Sequence, residues 1–385
     1  MSRAVTADHI LFDECIDAFR RSDKYHGPID ESSSQSFILT CFHVPDVWPL
    51  PNTNIHPSIK VSLTNNLSAF ICRVDNPPWV DYGNSHLYGI ALSAIISFVT
   101  GKPCHSTRDD YLCRRLELED QDLIELSVRH PVLVTGPGAI SEDLPQVKLD
   151  EYQSAISSLI STLYSLPYKK YLELMQAIRL VHLSLLNKRE DFGLSYLLLV
   201  SAIESIAQQA IKRESVKQPH EMEREWKKKA KTDPEFLALF SAYKELTGMN
   251  SYLKERYVKF ITTFAPSDIW EEIIPHPMQH HADRIRSAFP LHDPDHLTKQ
   301  KFHEAYPHDL PPEMLKKVLE DSYKHRSCFI HRGEQPPHRE PTSYNHFFQQ
   351  THSFENNTFK MIMLPNYELL LGIAQHSISK WAKSI

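Results

Sequence analysis

The pattern of apolar and polar positions changes character near residue 150. Before it, SFILTCFHV (36–44) and LSAFICRV (67–74) have the short, apolar composition that predicts strands, and ADHILFDECIDAFRR (7–21) has helical spacing. The continuous apolar run YGIALSAIISFV (88–99) fits either a buried helix or a long buried strand. The first region is therefore expected to mix helices and strands.

After residue 150 the period of about 3.6 residues that is typical of amphipathic helices dominates. It predicts helices at 151–165, 169–187, 194–214, 234–246, 253–264, 313–332 and 360–382. A dense charge run at 212–231 interrupts them. We expect an α+β protein: a mixed α/β domain over residues 1–147, then an all-α bundle over 148–385 with an irregular insertion at 265–312. Turn residues, acids and prolines mark the boundary within 136–150.

Glycine is scarce, because the chain has ten in 385 residues against a usual share of about 7%. Only Gly136 and Gly138 are closely spaced, and Pro137 between them has no amide hydrogen to offer a phosphate. The glycine-rich phosphate loops of classical dinucleotide and NTP enzymes therefore cannot be built from this sequence.

Cysteine usage and hydropathy favour a reducing cytoplasm and no membrane. The six cysteines form no C-x-x-C pair, and a chain this long and apolar needs no disulfide framework. Acidic residues in the N-terminal MSRAVTADHILFDE argue against a signal peptide, and no uncharged apolar run reaches the ~18 residues of a membrane span. With a net charge of −6, contact with nucleic acid requires a local basic patch.

The 22 histidines invite a metal-site hypothesis, since several crowd with aspartates into residues 276–296. Zinc ligands usually have short, defined spacings on rigid elements. Here the spacing is irregular and interrupted by prolines, which favours a solvated loop. No G-x-S-x-G places a serine on a nucleophile elbow either. The sequence predicts neither a metal site nor a cofactor.

One stretch, YKHRSCFIHRGE (323–334), combines reactive residue types with clear helix boundaries. The prolines at 311–312 are typical of a helix start, and Gly333 is typical of a left-handed C-terminal cap. Arg326 and His331 lie near the end of this predicted helix. Five residues turn a straight helix by about 140°, so the two side chains meet only if the helix end distorts or a second subunit completes the site.

Arginine and histidine together suffice for metal-free RNA cleavage. A histidine exchanges a proton near neutral pH as the ribose 2′-OH attacks the adjacent phosphorus, and an arginine binds the charged phosphoryl oxygens. Spacing alone does not single out the pair, since 18 arginines and 22 histidines produce about one R-x4-H by chance. The second copy, Arg21 with His26, leads straight into a Pro/Ser-rich loop and is interpreted as a solvated helix exit.

Placement separates the two copies. Tyr-x-x-Arg-Ser-x-x-x-His (323–331) in the penultimate predicted helix, with LSYLLLVSAIESIAQ (194–208) upstream, resembles the HEPN superfamily, in particular its Apea-like branch, over roughly residues 152–385. The resemblance implies a helical bundle that dimerises and places two R-x4–6-H motifs around one composite cleft. It also implies a metal-independent endoribonuclease of the kind found in toxins and anti-phage defence, with Arg326 and His331 as its catalytic residues.

Residues around the motif are expected to support it. Ser327 occupies the family's polar position after the arginine, where Asn, Asp or His is more usual, and Arg332 separates His331 from the glycine that often follows it. Glu204 lies in an apolar run, so its carboxylate needs a basic partner. It either orients Arg326 across the bundle or is a structural ion pair or an edge residue that reaches solvent.

Aromatic and basic side chains nearby are candidates for binding RNA. Tyr323 either stacks on a base or belongs to the core. His325 and Arg332 could contact the RNA backbone, although cations also suit a helix end. The densest basic patch is the run Lys227, Lys228 and Lys229. It is either an RNA contact or a solvated helix face.

Two function hypotheses follow from these residues. The first is a homodimeric, metal-independent endoribonuclease that cleaves RNA, with tRNA and mRNA as substrate classes, and whose residues 1–147 sense a trigger or a regulatory protein. The second is a catalytically inactive HEPN-like module that binds RNA, a nucleotide or a protein partner, and the unusual Ser327 and the net charge of −6 motivate it. Assembly through the helical region alone is a third hypothesis.

Overall fold

The computed structural model describes most of the chain. The described residues are 8–20, 35–64, 67–80, 83–108, 110–113, 115, 117–132, 144–217, 220–249, 251–274, 276, 278–299, 305–333, 346–355 and 358–385. The Arg21–His26 copy of the motif and the turn from Gly136 to Gly138 lie outside them. No helix in these residues combines the length and the apolar character that crossing a membrane requires.

An antiparallel sheet forms the centre of the first region. Its strands are β1 (Gln35–Thr40), β2 (Trp48–Leu50), β3 (Thr53–Ile55), β4 (Ile59–Thr64), β5 (Leu67–Asp75) and β6 (Cys104–Ser106). β5 pairs with β1 on one side and with β3 and β4 on the other, and β6 continues the sheet beyond β1. The strands predicted at 36–44 and 67–74 are β1 and β5, and β1 ends earlier than expected, at Thr40.

Helices cover this sheet and make up most of the remaining chain. They are α1 (Asp8–Phe19), α2 (Ser85–Thr100), α3 (Asp110–Cys113), α4 (Asp120–Arg129), α5 (Gln146–Ser165), α6 (Tyr168–Asn187), α7 (Phe192–Ala210), α8 (Glu223–Lys229), α9 (Pro234–Met249), α10 (Leu253–Phe264), α11 (Trp270–Ile273), α12 (Gln279–Ala288), α13 (Pro312–Arg332) and α14 (Tyr367–Ala382). The α+β class with a helical C-terminal region is therefore confirmed.

The ambiguous apolar run at 88–99 is the helix α2, which lies at the centre of the molecule. Almost all of its residues are buried, because it packs on β1 and β6 on one side and on α1, α5 and α6 on the others. Gly89 permits the close approach to the sheet, since a Cβ atom there would lie 2.5 Å from Ser106 Oγ. A helix that is apolar all round has no amphipathic period, which explains the ambiguity.

Residues 1–147 and 148–385 share one contiguous hydrophobic core, which extends from α1 to α14. Polar groups also connect the two regions: His182 Nδ1 of α6 lies 3.0 Å from Ser97 Oγ of α2. The predicted boundary lies close to the start of α5, a helix that packs against α2. The first region is thus an integral part of the packing of the second.

The segment 360–382, predicted as one helix, is a strand followed by a helix. β8 (Thr358–Pro365) pairs with β7 (Phe348–Glu355) in an antiparallel hairpin, and α14 begins only after β8. Asn366 separates the two elements and caps the helix, its side-chain oxygen accepting from Leu369 N at 2.9 Å. The prediction of an all-α second domain was therefore wrong. Apolar residues run on from β8 into α14 and hide the change of period.

Two further predictions need correction. The helix predicted at 194–214 ends at Ala210, and a separate 3-10 turn follows it. The insertion at 265–312 contains the helices α11 and α12 as well as 3-10 turns, and its Trp270 and Tyr306 side chains are buried. The histidine-rich stretch predicted as a solvated loop therefore includes a helix, and the insertion is anchored to the core by large aromatic rings.

Candidate functional site around Arg326

The helix α13 has the ends that its sequence predicts. It starts at Pro312, and Gly333 adopts a left-handed conformation with φ 67° and donates its N–H to Phe329 O at 2.9 Å. Between these ends the helix is continuous, so it lacks the distortion that would bring Arg326 and His331 together within one chain. The two side chains leave this helix about 140° apart.

A buried carboxylate on a neighbouring helix holds Arg326. Arg326 Nη2 lies 3.3 Å from Glu204 Oε2 of α7. The side chain of Glu204 is 6% exposed and that of Arg326 is 24% exposed, so the carboxylate is buried, while the arginine side chain is partly exposed and its Nε atom is buried. The basic partner predicted for Glu204 is therefore present, and it is Arg326.

Neighbouring side chains hold this ion pair in place. Gln208, one turn further along α7, donates from Nε2 to Glu204 Oε1 at 3.2 Å. The guanidinium lies over the ring of Tyr323, with Arg326 Cζ 5.9 Å from the ring centroid. Tyr323 also packs against Tyr257 of α10, their ring centroids 5.4 Å apart. The Tyr323 ring therefore lies next to both the buried Tyr257 ring and the Arg326 guanidinium.

Burial and the neighbouring groups act on Glu204 in opposite directions. Burial raises the pKa of the Glu204 carboxyl, Arg326, Gln208 and Tyr323 lower it, and a net rise remains. Burial, followed by the charge of Glu204, raises the pKa of Tyr323 to about 12. The Tyr323 hydroxyl therefore keeps its proton at neutral pH and can act as a hydrogen-bond donor, not as a base.

The other motif residues lie elsewhere on α13. His331 and Arg332 are exposed in its last turn. Ser327 and His325 are half-buried on either side of Arg326. The structure therefore brings Arg326 together with Glu204 and Tyr323, and it places His331 on a different side of the helix.

The predicted basic patch lies on another element. α8 packs against α9, and the side chains of Lys227, Lys228 and Lys229 are exposed. Lys229 Nζ lies 5.9 Å from the centroid of the Phe236 ring of α9. In the described part of the chain, no ion pair or ring contact connects these lysines with Arg326.

Sequence reasoning missed Gln208 and Tyr257. Gln208 carries a recognisable signal, because it follows Glu204 by four residues and therefore shares its helix face. Tyr257 is one of several apolar positions of α10, and nothing in its spacing distinguishes it from an ordinary core residue.

Comparison with known proteins identifies no relative. No protein-family model matches the chain, and neither does any curated protein or solved structure. Among the residues that the structure describes, no three His, Cys, Asp or Glu side chains are grouped so that they could hold a metal ion. The function is therefore argued from Arg326 and its surroundings.

Proposed function

We propose that this protein is a metal-independent endoribonuclease whose active site combines Arg326 of one protomer with His331 of another. The observation that carries the proposal is the Glu204–Arg326 pair, which holds a guanidinium in a defined position and leaves it partly exposed. Such an arginine is suited to binding the phosphoryl oxygens of RNA. The resemblance of the motif to HEPN proteins extends the proposal to a cytoplasmic toxin or anti-phage effector that cleaves tRNA or mRNA.

The second copy is part of the proposal because of the helix geometry. Arg326 faces α7, whereas His331 is exposed about 140° further round α13. Five residues also separate the two Cα atoms by about 7.5 Å along the axis. A twofold axis that brings two α13 ends together can place Arg326 of one copy opposite His331 of the other.

The reaction needs only these groups and the RNA itself. His331 accepts the proton of the ribose 2′-OH as that oxygen attacks the adjacent phosphorus. The bond from phosphorus to the 5′-oxygen of the next nucleotide breaks, and that oxygen takes up the proton that His331 accepted, which returns His331 to its starting state. The products are a 2′,3′-cyclic phosphate end and a 5′-hydroxyl end. Arg326 stabilises the negative charge on the phosphoryl oxygens during the attack.

The first test is RNA cleavage by the purified full chain in excess EDTA. Arg326→Ala and His331→Ala are each expected to lower the rate at least about 100-fold, which is the scale of a lost acid–base or charge-stabilising group. His281→Ala, at another exposed histidine on a helix, is the matched control and should cleave like wild type. RNA with 2′-O-methyl groups should resist cleavage, because it has no 2′-OH to attack. Activity that survives His331→Ala contradicts the proposal.

The composite site has its own test, in which the two inactive variants are mixed and allowed to exchange subunits. A heterodimer of Arg326→Ala and His331→Ala protomers retains one complete site if the residues act across the interface, and none if they act within one chain. Random exchange therefore restores about a quarter of wild-type activity in the first case. No recovery, with exchange verified, contradicts the composite site.

A catalytically inactive binding module is the second candidate. The observation that favours it is the position of His331, which within one protomer lies away from the Glu204–Arg326 ion pair. In that case RNA binds with equal affinity to wild type and His331→Ala, and no 2′,3′-cyclic phosphate forms. The same binding assay with a nucleotide or a protein partner separates the remaining possibilities.

A further inference from the structure

A large cavity lies between α14, the end of α2, α5 and α11. Its volume is about 770 Å³. Small-molecule pockets usually measure about 300–1,000 Å³, so this cavity is large enough to hold one. None of its lining residues belongs to the site around Arg326.

The inner wall of the cavity is apolar. Phe98 and Leu159 are buried at its base, and Ile273 of α11 is half-buried beside them. Gly372 of α14 also lines it, and a side chain there would clash with Ile273. Gln375 Nε2 donates to Phe98 O at 2.5 Å and so ties α14 to the end of α2. These contacts give the cavity a fixed apolar wall.

The rim of the cavity is basic. His376 and Lys380 lie on one face of α14, Lys383 follows directly after the last residue of the helix, and all three line the cavity. No described residue forms an ion pair with any of them. The ammonium groups of Lys380 and Lys383, three residues apart, repel one another, and a bound anion would relieve this repulsion. Glu272 of α11 is the one acid among the described lining residues.

The helix dipole accounts for part of this arrangement only. Cations at the C-terminal end of a helix complement its dipole, which applies to Lys380 in the last turn and to Lys383 at the C-cap. It does not account for His376, which lies earlier in α14, or for the apolar wall next to all three. Partial burial, then Lys380 and Lys383, lowers the pKa of His376, so an anion bound between these groups would raise it.

We infer that this cavity binds a small organic anion that has an apolar body and a terminal phosphate or carboxylate group. The apolar body lies against Phe98, Leu159 and Ile273, and the anionic group lies between His376 and the two lysines. The cavity is thus a ligand site distinct from the proposed RNA site, and the inference does not depend on RNA cleavage.

Calorimetric titration of the full chain with four probes of equal length tests this. The probes are octyl phosphate, octanoate, octanol and octylamine. Octyl phosphate or octanoate should bind at least about fivefold more tightly than octanol, because a charge-assisted hydrogen bond adds to the same apolar contact, and octylamine should bind no better than octanol. Which anion binds more tightly tells phosphate from carboxylate.

Variants locate the binding. Lys380→Gln/Lys383→Gln should weaken binding of the anionic probes about fivefold or more and leave octanol unchanged. Lys316→Gln/Lys317→Gln, which removes two exposed lysines from α13, is the charge-matched control and should bind like wild type. Ser158→Trp, at an exposed position of the cavity wall, should abolish binding of all probes.

A second readout is the titration of His376 followed by NMR. The titratable groups that line the cavity with it are Lys380 and Lys383, which follow it along the chain, and Glu272 of α11. Saturation with the tighter-binding anion should raise the pKa of His376, and octanol should leave it unchanged. No saturable binding of either anion, equal affinity for octanol, or unchanged binding in Ser158→Trp would overturn the inference.

Discussion

His182 and Ser97 join α6 to α2, whereas Glu204 and Arg326 join α7 to α13. The first pair is buried and consists of neutral groups, because burial, then His105, Arg108 and Arg179, lowers the pKa of His182 to about 3. The second pair joins a buried carboxylate to an arginine that is 24% exposed. A neutral pair suits a permanent contact inside the core, and a partly exposed arginine suits a group that meets a ligand.

The largest expected effect is a loss of stability at low pH that is caused by the buried, neutral His182. Because His182 has a lowered pKa in the folded protein, only the unfolded chain takes up its proton as the pH falls below about 6.5. Wild type should therefore lose stability relative to His182→Gln with a slope that approaches about 1.4 kcal/mol per pH unit, which amounts to about 3 kcal/mol between about pH 6.5 and pH 4. Urea unfolding at several pH values measures this. Parallel curves for the two proteins would contradict it, and His281→Gln, at an exposed histidine, should follow wild type.

The charged pair comes next. Glu204→Ala leaves Arg326 without its carboxylate and should lower the free energy of unfolding by about 2 kcal/mol, less than for a fully buried pair because Arg326 is partly solvated. Arg326→Ala should lower the free energy of unfolding by a similar amount. The double variant should lose less stability than the sum of the losses of the two single variants. The matched control is the exposed pair Lys254–Glu320, which joins α10 to α13 with 4.0 Å between Lys254 Nζ and Glu320 Oε2. Its coupling energy should be below about 0.5 kcal/mol. Additive losses at Glu204 and Arg326 would contradict the ion pair.

A smaller effect has the opposite pH dependence. Since the pKa of Glu204 is raised in the folded protein, the unfolded chain loses the proton first as the pH rises through the ordinary carboxyl value. The stability of wild type relative to Glu204→Gln should therefore fall as the pH rises from about 4.5 through the folded pKa, with a slope below about 1.4 kcal/mol per unit, and then level off. A difference that grows with pH in this window would mean that Arg326 outweighs burial.

The smallest effect tests Tyr323. Tyr323→Phe keeps the ring under the guanidinium and removes the hydroxyl beside Glu204, so it should cost about 1 kcal/mol of stability. Tyr168 is exposed, and its hydroxyl donates to the Asp17 carboxylate at 2.6 Å, so Tyr168→Phe should cost less. Thermal unfolding of both variants makes the comparison. Equal losses would show that Tyr323 gives Glu204 no special support.

Amphipathic helices were the most predictable elements. α10 coincides with the predicted 253–264, because its apolar residues face one way only. β8 was harder to predict, since apolar residues lie on both sides of its end and only the short Pro365–Asn366 break marks the change. The sequence did not decide whether residues 88–99 form a helix or a strand, because α2 is buried on every side and has no polar face.

The candidate site also has one part that the sequence predicts and one part that it does not. A carboxylate at Glu204 within an apolar run required a basic partner, and the structure places Arg326 there. That requirement is local chemistry, which a sequence contains. What His331 faces depends on whether and how a second copy docks against α13, and helical spacing shows only that it does not face Glu204.

The position of α2 has a practical consequence for truncated forms of this protein. A fragment comprising residues 148–385 would present to water the apolar faces of α5 and α6 that α2 covers in the whole protein. Such a fragment is expected to aggregate. Because the two regions share one hydrophobic core, we expect them to unfold in one transition and to be stable only together.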